Sequence, residues 1–329
     1  MVRNPDYWKP GKPYLDRIEY PIIPDVSTRL LSFLAGNEDV YIGVTMTQLK
    51  DVKRQLPQAI CDPYISNVAR SMLINRDVPP FDNAQMRRAI ALTIDRQAFV
   101  DIIADGQGAI GGVMQPPPEG IWGMAPYAMR NLTGYNTDIA ASRAEARKIM
   151  ETLGYGPNNR LKVTPATRNI APYRDPAVIL ISQLKEIYID ADLNPIDTAQ
   201  WYPTLTRKDF KIAMNVTETA TDDPDVAFYE NFACGSQRNY TAYCNPEVDK
   251  LIDRQSAETN IEKRKKIVWE IEKKLIEDDV RPVLFYTKAA NCRRPQVKNL
   301  VTQVNSIYNS WRFEDLWLDR GTGGRAEAK

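Results

Sequence analysis

Residues 16–44 carry the pattern that most constrains the fold, a strand, a helix and a second strand in succession. Across 16–21, Ile18 and Tyr20 alternate with charged side chains, the period of a half-buried strand. Pro24-Asp25-Val26-Ser27 then opens a helix that carries Leu30, Leu31 and Leu34 and stops at Gly36, and residues 39–44 read as another strand. Such an order buries both element types only when helices pack on a sheet, so the predicted class is α/β.

The rest of the chain keeps to that alternation. A polar connector at 76–80 precedes one long helix, with Asp82 placed to cap it, Met86, Ile90, Ile94, Phe99, Ile102 and Ile103 on a broad apolar face, and Gly106 at its end. Residues 106–123, with Pro116-Pro117-Pro118, have the composition of an ordered surface loop. Ser142 and Glu145 form a capping box for a helix with Ile149, Met150 and Leu153 inward. Leu161-Lys162-Val163-Thr164 reads as a strand. Asp175 is placed to cap a helix with Pro176 at its first position and Ile179, Leu180, Leu184 and Ile187 inward.

Strands are expected at 193–197 and 210–216, with a helix near Trp201 between them. Asn245-Pro246 starts a helix bearing Val248, Leu251 and Ile252. Thr259 with Glu262 caps the next, whose inner face is Ile267, Val268, Ile271 and Leu275 and whose Lys and Glu runs form a solvated face. A strand at 282–286 follows, then Trp311 and Trp317, and the composition of 321–329 predicts disorder.

Composition narrows the chemistry. At 329 residues and 43% hydrophobic content the chain can bury a core, more naturally in two lobes than in one. A formal charge of +1 supplies no basic field for nucleic acid. The chain has no histidine, which removes Ser-His-Asp and Cys-His dyads, His-ligated zinc and imidazole acid–base catalysis, and leaves carboxylate, Lys or Tyr chemistry open. The sequence calls for no cofactor and no metal; a calcium loop would need a longer run of alternating oxygen ligands than Asp222, Asp223 and Asp225 provide.

The residues after Met1 lack the basic and apolar regions of a signal peptide, and no run is long and apolar enough to span a bilayer. Cys234 and Cys244, by contrast, enclose a short polar loop suited to a disulfide, which belongs to an oxidising compartment. A chain beginning partway through a longer exported protein reconciles the two.

The segment 215–244 gathers hydroxyls, acidic groups, an Arg and aromatics, and reads as part of a ligand-binding face. Asp222, Asp223 and Asp225 can bind a cationic group, or they can form a turn and a helix cap around Pro224. Arg168 and Asn169 precede a helix, where they can hold an anion or hydroxyls or simply be solvated. Arg238, Asn239 and Tyr240 lie inside the Cys234–Cys244 loop and either face a cleft or decorate a turn.

Asn4-Pro5-Asp6-Tyr7-Trp8, Leu34-Ala35-Gly36-Asn37-Glu38-Asp39-Val40, Arg87-Arg88-Ala89-Ile90 running into Ile94-Asp95-Arg96, and Leu153-Gly154-Tyr155-Gly156 together resemble extracellular solute-binding protein family 5, the peptide, nickel and oligosaccharide receptors of bacterial ABC importers. The order and spacing of these fragments cover nearly the whole chain. The resemblance implies the two-lobed type II periplasmic-binding-protein fold, with residues 75–285 as a complete second lobe and 1–74 and 286–320 as parts of an incomplete first. It also implies solute capture without catalysis, delivery to a membrane permease, and a periplasmic or surface-anchored monomer.

Many peptide-binding members of that family carry a Gly-Asp whose carboxylate meets the ligand amine, with a Trp shortly upstream. Matched on Asp223-Pro224-Asp225, this sequence has Thr219-Ala220 and Thr217 in those places, so the amine partner is missing unless Asp222 supplies it. Peptide, sugar-like and opine-like solutes all stay open. The resemblance further implies that Trp201 lines the cleft, against the plain reading of a packed core Trp, and that Cys61 can pair with Cys292. The alternative from another class is a carboxylate-dependent, glycosidase-like hydrolase using Asp222 or Asp223 with Glu218; a solute sensor without transport is a third.

Overall fold

The computed structural model describes residues 1–23, 25–217, 221, 223–303, 310–319 and 321. In chain order its elements begin with α1 (Val26–Ala35), β1 (Val40–Thr45), α2 (Met46–Gln55), β2 (Ile60–Ile74), α3 (Ala84–Thr93), α4 (Arg96–Ala104) and α5 (Pro126–Met129). Next come α6 (Ile139–Thr152), β3 (Leu161–Val163), β4 (Ala166–Arg168), α7 (Ala171–Lys185), β5 (Ile189–Ala191), β6 (Asn194–Ile196), α8 (Thr198–Thr206) and β7 (Ile212–Thr217). The last are α9 (Pro224–Asn231), α10 (Pro246–Ala257), α11 (Ile261–Glu277), β8 (Val283–Arg293), β9 (Val297–Lys298) and β10 (Trp317–Leu318). The chain divides into two compact units, Asn67–Thr287 and the discontinuous pair Met1–Ser66 with Lys288–Lys329. β2 and β8 each contain one of the two crossings between them.

In the discontinuous unit α1 forms for the expected reasons. Asp25 accepts the Thr28 amide at 2.7 Å, and Gly36 ends the helix at φ 93°, a conformation that a Cβ would strain. Phe33 is its buried anchor, whereas Leu31 points outward. Thr45 and Gln48 make a capping box for α2, whose Met46, Leu49 and Val52 complete an apolar stripe. β1 runs antiparallel to the end of β8, with Val40 opposite Arg293 and Thr45 opposite Ala289. Phe33, Tyr41, Val44, Leu49 and Val52 pack there against Ala290 and Cys292, and Cys61 is bonded to Cys292 at 2.07 Å. The strand expected at 16–21 is reduced to a single bridge between Arg17 and Val2, because among the described residues the segment finds no longer ladder to join.

The contiguous unit is built on strands in the order β8-β2-β7-β4-β6, with β2 antiparallel to β7 and β7 and β6 parallel to β4. The two-residue period of the β2–β7 pair sorts side chains cleanly. Met72, Ile74, Ile212 and Met214 face a core shared with Met86, Ile90, Phe99, Leu180, Leu184 and Phe285. Leu73 and Ala213 face the opposite way, toward Tyr173, Trp201, Leu205 and Tyr240. A third cluster joins α9, α10 and α11 through Phe228, Val248, Ile252, Val268 and Ile271, with Met114 and Trp122 packed on it.

Several local expectations are corrected by competing caps. The helix expected from 82 to 106 is two: α3 ends at Ile94, and Asp95 caps α4 through the Ala98 amide at 3.1 Å. Asn83 takes the cap expected of Asp82, and Ile102 lies exposed. Asp138, which accepts the Ala141 amide, starts α6 ahead of Ser142, whose hydroxyl donates to the Asp138 carbonyl; Glu145 pairs with Arg88 instead of closing a box. α7 begins at Ala171 with Pro172 in its first turn, so Pro176 sits inside the helix, where its missing N–H leaves only the carbonyl of Pro172 unused. Asn260, not Thr259, caps α11.

The Gly- and Pro-rich segment 106–123 is also not the surface loop its composition suggests. Gly111, Gly112, Met114, Gln115, Pro116, Gly120, Trp122 and Gly123 are buried. A Cβ on Gly123 would collide with the backbone of Gln115, so the glycines serve close packing.

Candidate functional site

The register of β2 on β7 places Ala69 opposite Thr217, Ser71 opposite Asn215 and Leu73 opposite Ala213, all on one face. The face is apolar at one end and polar at the other. Trp201 covers the apolar end, fully buried and edge-on to Tyr173 at 5.9 Å. Its Nε1 and the Oδ1 of Asn215 are both buried without a hydrogen-bond partner.

At the polar end the Ser71 and Thr217 hydroxyls lie 3.5 Å apart, and the guanidinium of Arg281 spans them. Arg281 donates from Nε to Ser71 Oγ at 3.1 Å, from Nη1 to Asn231 Oδ1 at 2.7 Å and from Nη2 to Thr217 Oγ1. Only 7% of Arg281 is exposed, and burial pulls its pKa down to about 10. All three acceptors are neutral. Burial raises the Asp279 carboxyl, two residues away, against the lowering pull of Arg88, Arg87 and Arg76.

Asp223 and Asp225, at the start of α9, are committed elsewhere. Asp223 caps α9 through the Asp225 amide at 3.0 Å and receives both Nη groups of Arg264 at 2.8 and 2.7 Å. Arg264 also reaches Asp225 at 3.2 Å and lies over the Trp122 ring at 4.9 Å. Burial pushes the Asp223 carboxyl up, but the Arg264 hydrogen bonds outweigh it and the pKa falls below its ordinary value. Arg264→Met therefore strips two half-buried carboxylates of their partner and should cost about 2 kcal/mol, discounted for their exposure. Because the Asp223 pKa is depressed in the fold, that difference is present above the unfolded carboxyl value and disappears as pH falls through the folded one. Urea titrations of both proteins at neutral and acid pH would show it, and an equal gap at both would refute it.

The other candidates fall as follows. Arg168 donates to Thr198 Oγ1 at 3.2 Å and stacks over Tyr173 at 5.5 Å, and Asn169 is exposed. Cys234 and Cys244 are bonded at 2.15 Å. Inside their loop Asn239 is buried and fully occupied, with Nδ2 donating to the Ala233 and Tyr243 carbonyls and Oδ1 accepting from Thr241 and Tyr243; it shapes the loop. Arg238 is exposed and pairs with Glu230 at 2.9 Å. Tyr240 packs against the Trp201 cluster. Thr219 and Asp222, with Glu218 and Ala220, lie outside the described residues.

Sequence reasoning missed Ser71, Asn231, Arg264 and Arg281. For Arg281 a signal was available, since it interrupts the apolar run Val280 to Phe285 at the mouth of a strand. Nothing local could have named its partners.

The sequence profile described as "Bacterial extracellular solute-binding proteins, family 5 Middle" matches residues 1–239. The chain belongs to family 5 of the bacterial extracellular solute-binding proteins. Among its family 5 relatives, the probable D,D-dipeptide-binding periplasmic protein DdpA of Escherichia coli is 27% identical over 321 residues, which cover 94% of this chain and 58% of DdpA. Heme-binding protein A of Haemophilus influenzae is 26% identical over 81% of this chain and 47% of its own length. This chain thus spans about half the length of the curated relatives it matches.

Solved structures share the fold. The periplasmic binding protein DppA of Helicobacter pylori, in complex with the peptide STSA, aligns over 97% of this chain and 60% of its own with a TM-score of 0.82 at 21% identity. The binding protein AgaA of A. tumefaciens, in complex with agropinic acid, aligns over 96% and 63% with a TM-score of 0.79 at 18% identity. The architecture is that of the periplasmic binding proteins.

Proposed function

We propose that this family 5 chain is the solute-binding component of an ABC importer, capturing a small polar solute and passing it unchanged to a membrane permease. Family membership across residues 1–239 carries the reading. The relatives named for dipeptides and heme, and the structures bound to STSA and agropinic acid, support a broad class of solutes. The unit Asn67–Thr287 serves as the second lobe, with Met1–Ser66 and Lys288–Lys329 belonging to the first. Thr217, with Arg281 behind it, Arg168, Asn169 and the segment holding Thr219 and Asp222 form the solute-binding side of that lobe. The protein works as a monomer outside the cytoplasm, a location that its two disulfides support.

A hydrolase reading gains no support from Asp223. A general acid needs a raised pKa, whereas Arg264 holds this carboxyl ionised.

A thermal-shift panel of short peptides, sugars, opines and nickel, followed by product analysis, tests the function. A solute at about a hundred times its Kd should stabilise the protein by about 2.7 kcal/mol and be recovered intact. Turnover of any panel member would overturn the receptor reading.

A further inference from the structure

Arg281 presents a charge that the described residues do not balance. A guanidinium has five N–H donors; Ser71, Asn231 and Thr217 take three, each through a neutral oxygen. No ion pair among the described residues includes it, and of those residues only tyrosines add to its electrostatic environment. An isolated buried cation is costly unless paired, and neutral hydroxyl and amide oxygens orient a guanidinium without neutralising it. The two remaining donors suit the planar, two-oxygen geometry of a carboxylate.

The surroundings fit the same partner. Thr217 and Asn231 are half buried, so the guanidinium lies just beneath the end of β7. The described ladder residues of this face, Ala69, Ser71, Leu73, Ala213, Asn215 and Thr217, include no carboxylate to repel an anion or to attract an ammonium. Trp201, at the apolar end of the same face, has an indole N–H without an acceptor.

We infer that Arg281 is the recognition point for a carboxylate on the transported solute, held in place by Ser71, Thr217 and Asn231. This rests on the receptor reading and narrows it to acidic solutes. Recognition through the acid end places no demand on a free amine, so N-blocked and amine-free acids should be accepted.

The test compares the whole chain with Arg281→Met and Arg281→Lys, using acetate against its neutral isostere acetamide at constant ionic strength. Acetate at tens of millimolar should raise the Tm of the unaltered protein while acetamide does not; Arg281→Met should abolish the rise and Arg281→Lys should shrink it. Without acetate, Arg281→Met should melt within about 3 °C of the parent, because replacing an unpaired buried charge by an apolar side chain is close to neutral. A loss of about 10 °C or more would mean that an internal carboxylate was its partner and would overturn the inference. So would an acetate response that is absent from the parent or equal in parent and Arg281→Met. Panel solutes that bind Arg281→Met as tightly as the parent would sink the carboxylate assignment and leave the receptor intact. An intact acetate response with no panel solute bound would do the reverse.

Discussion

Replacing Cys61 and Cys292 together by alanine should lower the stability of the discontinuous unit by about 4–5 kcal/mol, against about 2–3 for the Cys234 and Cys244 pair. The difference follows from loop length. Cys61 and Cys292 are 231 residues apart and Cys234 and Cys244 only 10, and a cross-link removes more freedom from the unfolded chain when it closes a longer loop. Location sharpens the effect. Cys292 is completely buried beside Ala290, Tyr41 and Val44, and its bond ties the Met1–Ser66 piece to the Lys288–Lys329 piece. Amide exchange at Val40–Thr45 should accelerate strongly in the double variant while Ile212–Thr217 changes little. Unaltered protection of Val40–Thr45 would show that packing alone holds the pieces together.

Stability should also fall as pH rises from about 5 to about 8, because two buried carboxyls of the contiguous unit hold protons that the unfolded chain has released. Glu272 is fully buried on α11, and burial pushes its pKa up to about 7 even though the Met114 and Met124 amides donate to it at 2.8 and 2.9 Å. Burial likewise raises Asp279 to about 7, against the lowering pull of Arg88, Arg87 and Arg76. Both folded values exceed the ordinary carboxyl range, so stability is fully present below about pH 4 and is lost as each group ionises near neutrality. Each contributes on the order of 3 kcal/mol across that window. Glu272→Gln should be less stable at pH 5, since a single carbonyl cannot serve both amides, and should show a flatter decline toward pH 8. Urea midpoints at four pH values decide it; the same slope in parent and variant would show that Glu272 does not titrate there.

The same Glu272 explains much of what the sequence concealed. On α11 it falls within a run of Lys and Glu that reads as a solvated face, yet it turns inward and gathers the amides of 113–124, where a Cβ on Gly112 would strike it. Strong local signals were legible: Asp25 and Gly36 bound α1, the strand expected at 210–216 is β7, and Asn245-Pro246 starts α10. Capping was legible only in type, because Asp, Asn, Ser and Thr compete for the same amides and one residue of offset moves a helix start, as at Asn83 and Asn260. Within the candidate site, Thr217 could be reached from family resemblance. Ser71, Asn231 and Arg281 could not be grouped, because they stand on β2, α9 and the approach to β8 and meet only once the sheet has formed.

The two crossings within β2 and β8 bear on how the protein is made. Asn67–Thr287 is contiguous, so all its strands and helices are available once Thr287 has been synthesised. The discontinuous unit cannot be finished until the residues after Lys288 emerge, since β1 needs the end of β8 as its neighbour and Cys61 needs Cys292. The Met1–Ser66 piece therefore reaches its final partners late, and Phe33, Tyr41 and Val44 lack the Ala290 and Cys292 surface that covers them until that part of the chain has been made.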